Sequence, residues 1–225
     1  PLSFNEDTAT VVTLSYTDAD SDLGTACSVT NETNLTESTT CACAAGVCTV
    51  GVTGTADYVG AASFDFTITA NGQTSAGVTG NFTINNVNDA PVASAITPAN
   101  FNEDTPSVMT LVYTDADSDQ AGSCTISALS GVTVSTACAC AAGTCTVGVT
   151  GTTDYNGAGS FNYTVTANGQ TSNSVSSTFT IDNVNDTPVG TTVLPLSFNE
   201  DTATVITLSY TDADSDAGTA CSVTN

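Results

Sequence analysis

The chain repeats itself at a fixed offset of 97 residues, with no insertion or deletion. Phe-Asn-Glu-Asp-Thr at 4–8 returns at 101–105 and 198–202. Tyr-Thr-Asp-Ala-Asp-Ser-Asp at 16–22 returns at 113–119 and 210–216. Cys27, Cys41, Cys43 and Cys48 return as Cys124, Cys138, Cys140 and Cys145. A fixed period marks an array, so the unit to explain is one repeat and its junction with the next.

A second period lies inside the first. Residues 1–31 match 195–225 at all but two positions, Val12/Ile206 and Leu23/Ala217, and match 98–128 much less well. Repeats therefore alternate in type, and the larger unit is 194 residues. The expected domains are 1–91, 92–188 and a partial third repeat, 189–225, too short to bury a core. These ragged limits read as a window on a longer protein, so the absence of a leader or an apolar span here says nothing of the whole.

There is no Lys, Arg or His among the 225 residues, and 23 acids give a formal charge of −23. Ordinary usage predicts roughly 25 to 30 basic residues in such a chain. Their absence excludes a basic surface for nucleic acid. It also removes the usual general base, the amine nucleophile and the commonest transition-metal ligand. The apolar fraction is an ordinary 40% and is patterned, which argues for folding rather than disorder. Counter-charge must then come from solution as metal ions. Seven of the eight acids of 98–194, namely Glu103, Asp104, Asp115, Asp117, Asp119, Asp154 and Asp186, have an acid 97 residues earlier. Glu32, Glu37 and Asp65 have no such counterpart, so recurrence marks a site rather than simple duplication.

Period-two alternation in Val12, Leu14, Tyr16, in Cys48, Val50, Val52 and in Phe64, Phe66, Ile68, Ala70 predicts half-buried strands. The fold class is all-β. About seven short strands per repeat fit a two-sheet, immunoglobulin-like sandwich. Four cysteines per complete repeat predict disulfides and an oxidising compartment. A tight hairpin turning at Ala45-Gly46 makes Cys43 and Cys48 cross-strand neighbours. Cys41 is then left for Cys27 on a flanking strand. The expected pairs are Cys27–Cys41, Cys43–Cys48, Cys124–Cys138 and Cys140–Cys145, among three possible connectivities per repeat. A zinc site is the alternative, but Cys-x2-Cys knuckles are missing.

Asp18, Asp20 and Asp22 alternate on a short loop after a strand, the oxygen-rich arrangement a hard cation needs. The loop is not an EF-hand, because Leu23 and Val29 stand where that loop requires Gly and Glu. Gln120 and Ile126 hold those positions in the second repeat.

Tyr-Thr-Asp-Ala-Asp-Ser-Asp resembles the A-x-D-x-D segment of cadherin repeats. Asn86-Val87-Asn88-Asp89-Ala90-Pro91 resembles their interdomain linker, Phe-Asn-Glu-Asp-Thr their early Glu-bearing segment, and Asp57 the Asp of their D-R-E motif. N-E-D-T, D-Y-x-G and V-N-D-x-P are shared with cadherin-like tandem repeats of large bacterial surface proteins. The resemblance implies tandem cadherin-like β-sandwiches with calcium at each junction. Junction 1–2 would use Glu6, Asp57, Asn88, Asp89, Asp115 and Asp117. Junction 2–3 would use Glu103, Asp154, Asn185, Asp186, Asp212 and Asp214. Asp18 and Asp20 would serve a preceding domain. The departures are Asn86 and Asn183 for the leading linker Asp, a linker one residue shorter, and Val59 and Asn156 for the D-R-E Glu. They imply fewer ions or weaker binding than in animal cadherins.

Sequons at Asn31, Asn34, Asn81, Asn162 and Asn185 have no counterpart at the equivalent position, so the fold does not require them. Tyr58 and Tyr155 read as core or corner aromatics and Met109 as a core residue. No nucleotide loop or nucleophile–base pair is present, and no catalytic residue is expected. Two functions remain. The first is an extracellular or cell-surface filament or adhesin shaft, with calcium and further copies of the repeat, lateral or end to end, as partners. The second is an array whose loops bind a glycan or a protein. The absence of Trp and the placement of aromatics within strands favour the shaft.

Overall fold

The structure, a computed structural model, describes residues 2–194 and 196–224. The expected domain limits at 1 and 225 lie outside the described residues. The chain divides into two compact units, Pro1–Asp89 and Ala90–Asn225.

The first unit holds β1 (Leu2–Asn5), β2 (Thr10–Leu14), β3 (Gly24–Thr33), β4 (Leu35–Ala44), β5 (Val47–Gly54), β6 (Gly60–Ala70), β7 (Gln73–Thr74) and β8 (Val78–Asn85). One sheet has the order β1-β8-β6-β3 with β7 added at the end of β6, and the other the order β2-β5-β4. Alternation sorts the side chains. Ala62, Phe64, Phe66, Ile68 and Ala70 of β6 point inward, and Val50 and Val52 of β5 face them across an apolar core with Leu14, Phe82 and Ile84. The eighth strand, beyond the seven expected, is the two-residue β7, whose Thr74 pairs with Thr69.

The second unit repeats the plan with β9 (Val92–Ser94), β10 (Phe101–Asn102), β11 (Ser107–Thr114), β12 (Ala121–Ser130), β13 (Val132–Ala141), β14 (Thr144–Gly151), β15 (Gly157–Ala167), β16 (Gln170–Thr171) and β17 (Val175–Asp182). Its sheets run β10-β17-β15-β12, with β16 beside β15, and β13-β14-β11-β9. Met109 is 3% exposed in this core. Among its described residues the third copy supplies only β18 (Val189–Gly190) and β19 (Tyr210–Thr211). None of its described residues is buried, because no second sheet faces these strands.

The hairpin turn at Ala45 and Gly46 has positive φ at both residues (48° and 82°), as a two-residue turn matched to strand twist requires. Cys43 and Cys48 are directly paired, and their disulfide spans 4.0 Å between Cα atoms. Cys27 joins Cys41 at 5.8 Å. The strand carrying Cys27 is not a ladder neighbour of β4. It is the edge of the opposite sheet, so this disulfide ties the two sheets together along their open side. Cys124–Cys138 and Cys140–Cys145 repeat both bonds.

Candidate metal centre

Parallel pairing puts a carboxylate beside the exit of each repeat. β1 runs parallel to β8, so the chain leaves both strands at the same end of the sandwich. Asn5 pairs with Asn85, the Glu6 amide donates to Asn85 O at 3.1 Å, and Val87 N donates to Glu6 Oε1 at 3.0 Å. β10 and β17 repeat this: Glu103 N donates to Asp182 O at 3.0 Å and Val184 N to Glu103 Oε1 at 3.1 Å. Both glutamates are 0% exposed. Glu6 Oε2 and Glu103 Oε2 are enclosed without a hydrogen-bond partner among the described residues. A buried carboxylate oxygen left bare costs several kcal/mol unless a cation or donor meets it.

The turn before β15 brings a second acid to that end. Tyr155 N donates to Thr152 O at 3.0 Å, and Asp154 sits in the left-handed region at φ 57°. Gly157 follows at φ 129°, which only glycine adopts readily. Tyr155 is a corner residue, its hydroxyl donating to Ala158 O at 2.8 Å. Tyr58 caps its corner in the same way through Ala61 O at 3.0 Å.

The D-x-D-x-D loop follows a shared plan. In the first copy Oδ1 of Asp18 accepts the backbone N–H of Asp20 and Asp22 at 2.9 and 3.0 Å. In the third copy Asp214 and Asp216 both donate to Asp212 Oδ1 at 3.0 Å. In the second Asp119 donates to Asp115 Oδ1 at 2.9 Å. The fourth residue takes a left-handed turn, φ 66° at Ser21, 63° at Ser118 and 63° at Ser215. The preceding Tyr anchors the loop: Tyr113 OH accepts from Ala121 N at 2.8 Å and donates to Gly143 O at 3.0 Å. Carboxylate oxygens of Asp115, Asp117 and Asp119 lie within 4.8 Å of one another, as do those of Asp212, Asp214 and Asp216.

Within the second unit these parts converge on Asp186. Its amide donates to Asp214 Oδ2 at 2.5 Å. Burial pushes its carboxyl above the ordinary value, and the negative charges of Asp154, Asp214 and Asp104 push it further. Its Oδ2 is enclosed. Of the residues expected at junction 2–3, the structure thus gathers Asp154, Asp186 and Asp214 and ties Glu103 to the same linker. Asp212 spends Oδ1 on its own loop, and Asn185 turns its amide to Asp186 O at 3.1 Å. Asn88 does likewise, to Asp89 O at 3.4 Å. Asp104, Asp119 and Asp216 belong to these clusters but are absent from the expected ligands, although their recurrence at 97 residues marked them.

Residues 87–182 match the family model of the cadherin-like domain. The match falls on the second repeat and covers less than half of the chain. The first repeat carries the same motifs. Among solved structures the chain is similar to the Yersinia pseudotuberculosis InvD structure (24% identity, 88% of this chain and 61% of that one, TM-score 0.32). It is also similar to human CDH23 repeats EC21-23 (14% identity, 84% and 69%, TM-score 0.46). A third is an endo-fucoidan hydrolase of glycoside hydrolase family 107 (15% identity, TM-score 0.34), where it covers 82% of this chain and only 28% of the hydrolase. No curated protein sequence matches the chain. Among the described residues no helix is long and apolar enough to cross a membrane.

Proposed function

We propose that this chain is a segment of an extracellular structural filament or adhesin shaft, stiffened by calcium at the junctions of its cadherin-like repeats and by disulfides within them. The observation that carries the reading is the pair of enclosed oxygens, Glu103 Oε2 and Asp186 Oδ2, in a chain with no cationic side chain to meet them. An all-oxygen donor set with several carboxylates suits a hard cation, and calcium among these accepts irregular geometry. Glu103, Asp154, Asn185, Asp186, Asp212 and Asp214 would hold it, with Asp104 and Asp216 close by. The sequence-equivalent residues Glu6, Asp57, Asn88, Asp89, Asp115 and Asp117 carry the same assignment, and Asp18 and Asp20 await a preceding repeat.

When bound, calcium supplies two positive charges and six to eight oxygen bonds. The chain's own part is to hold the carboxylates in place against their mutual repulsion: parallel pairing fixes Glu103, the left-handed turn fixes Asp154, and the Asx-type loop fixes Asp214. Calorimetric melting in calcium, magnesium and EGTA tests the reading. Saturation at about 100 times Kd adds roughly 2.7 kcal/mol, so calcium raises the melting temperature by several degrees and magnesium by less. Identical melting in calcium and in EGTA overturns it.

A further inference from the structure

The acids that the first repeat has and the second lacks are Glu32, Glu37 and Asp65. They are scattered in sequence and gathered by the fold. Glu32 lies on β3 and Glu37 on β4, and each of these strands is the edge of its own sheet at the open side of the sandwich. Asp65 lies on β6 opposite Thr30 of β3 and accepts from the Asn31 amide at 2.9 Å. Glu37 closes its edge directly. The ladder between β4 and β5 skips Cys41, and Glu37 Oε1 accepts the Cys41 backbone amide at 2.7 Å. An edge strand presents unpaired amides that another chain can take up, and charge on the edge is a common way to prevent it.

The second repeat carries the same edge stripped of these groups. Leu129 stands at the position of Glu32, Val134 at that of Glu37 and Asn162 at that of Asp65. Ala128 and Ala137 replace Asn31 and Thr40 beside them. Leu129 and Val134 flank the turn at Gly131 between β12 and β13, and they are 40% and 43% exposed. The ladder between β13 and β14 skips Cys138 as its counterpart skips Cys41, and Val134 offers that amide no acceptor. No acid occurs between Asp119 and Asp154, the longest acid-free run in the chain. β12 and β13 are interior to the chain, and among the described residues each is still the edge of its sheet.

We propose that the β12–β13 edge of the second repeat is a lateral contact between copies of this chain, each giving the same edge to the other, and that the alternation of repeat types alternates open edges with closed ones. The proposal rests on the shaft reading above for its setting, an array of such repeats, and not on calcium. The charges select a second copy as the occupant. A cationic partner is drawn to acids, which this edge lacks. A copy that itself carries −23 is repelled wherever acids face acids, and it can approach where they are missing. A two-fold contact brings a patch against itself. In the first repeat that would set Glu32 and Glu37 against like charges, whereas in the second it sets Leu129 and Val134 together. The apolar side chains form the centre of the contact, and uncapped edge amides supply its hydrogen bonds. Like repeats recur 194 residues apart, so an array offers its open edges at one fixed interval. Another array of the same interval matches that spacing, and repeated contacts compound a weak one.

The test is sedimentation velocity of the 225-residue chain across a concentration series, in calcium and in EGTA. Cys221, free and exposed, is alkylated first so that no new disulfide links copies. The chain dimerises reversibly under both conditions. Leu129→Glu with Val134→Glu installs the side chains that the first repeat already carries at these positions, so the variant melts as the parent does. It weakens the dimer by on the order of a hundredfold, because like charges now meet across the contact. Glu32→Leu with Glu37→Val opens the edge of the first repeat and carries association beyond the dimer. A monomer at every concentration, a dimer untouched by Leu129→Glu with Val134→Glu, no gain from Glu32→Leu with Glu37→Val, or a dimer seen in calcium alone overturns the proposal. Identical melting in calcium and in EGTA would overturn the metal reading and leave this contact standing.

Discussion

Glu103 joins a structural bond and a bare charge in one side chain. Its Oε1 holds the Val184 amide while its enclosed Oε2 has no partner among the described residues. Glu103→Gln keeps an acceptor for Val184 and removes the charge, so its effect changes sign with the metal. In EGTA the variant melts higher than the parent, by the roughly 1–3 kcal/mol that a desolvated unmet polar group costs. In calcium it melts lower. Differential scanning calorimetry under both conditions checks the crossing, and an unchanged order in both would leave Glu103 a purely structural clip. Asp65 behaves as an ordinary surface acid would. The Thr79 hydroxyl at 2.6 Å and the Asn31 amide at 2.9 Å hold its carboxyl below its ordinary value of 3.8. A lowered carboxyl contributes stability above the unfolded value of about 3.8, and that stability is lost as pH falls through the folded value. Asp65→Asn is therefore slightly less stable at neutral pH and indistinguishable from the parent in strong acid, as urea titrations across pH would show. Asp65 has no acidic counterpart in the second repeat, which is how the sequence separates it from the recurring acids.

At the scale of elements, alternation made the inward faces of β5 and β6 legible, and the Ala-Gly turn made the Cys43–Cys48 hairpin legible. Sequence pattern did not reveal that β1 and β10 cross to the far sheet and pair in parallel, because a four- or two-residue strand has no periodicity to read. That crossing places Glu6 and Glu103 at the linker: their recurrence marked them as site acids, but only the resemblance assigned them to a junction. The opposite-sheet location of Cys27 was hidden for the same reason: alternation gives a face and never the partner sheet. The two disulfides of a repeat should differ in worth. Cys27–Cys41 closes 14 residues between edge strands of two sheets, and Cys43–Cys48 closes 5 within one hairpin. Loop entropy gives about 3 kcal/mol for the first and about 2 for the second. Replacing Cys27 and Cys41 by Ala lowers the urea midpoint of the first repeat more than replacing Cys43 and Cys48. The reverse order would mean that the hairpin, and not the tie between sheets, limits unfolding.

For the whole chain the decisive quantity is charge. With −23 and no positive side chain, every fold-stabilising electrostatic term must come from neutral dipoles of the backbone and side chains or from solution. Monovalent salt screens at about 8–10 Å near physiological strength, which weakens repulsion between exposed acids such as Glu32 and Asp182. It does little for enclosed oxygens such as Glu103 Oε2, which a hydrated sodium shell does not enter. Calcium and sodium therefore separate the two contributions. Small-angle scattering of the 225-residue chain in EGTA and low salt should show a broad ensemble of interdomain arrangements. Added sodium chloride should change it little, and calcium at far lower ionic strength should narrow it to one persistent arrangement. Glu103→Gln should blunt the calcium response while leaving the sodium response intact, because it removes one ligand and only one of 23 charges. If sodium reproduced the effect of calcium at matched ionic strength, general repulsion would govern the array and the carboxylate cluster around Asp186 would have no part in the response.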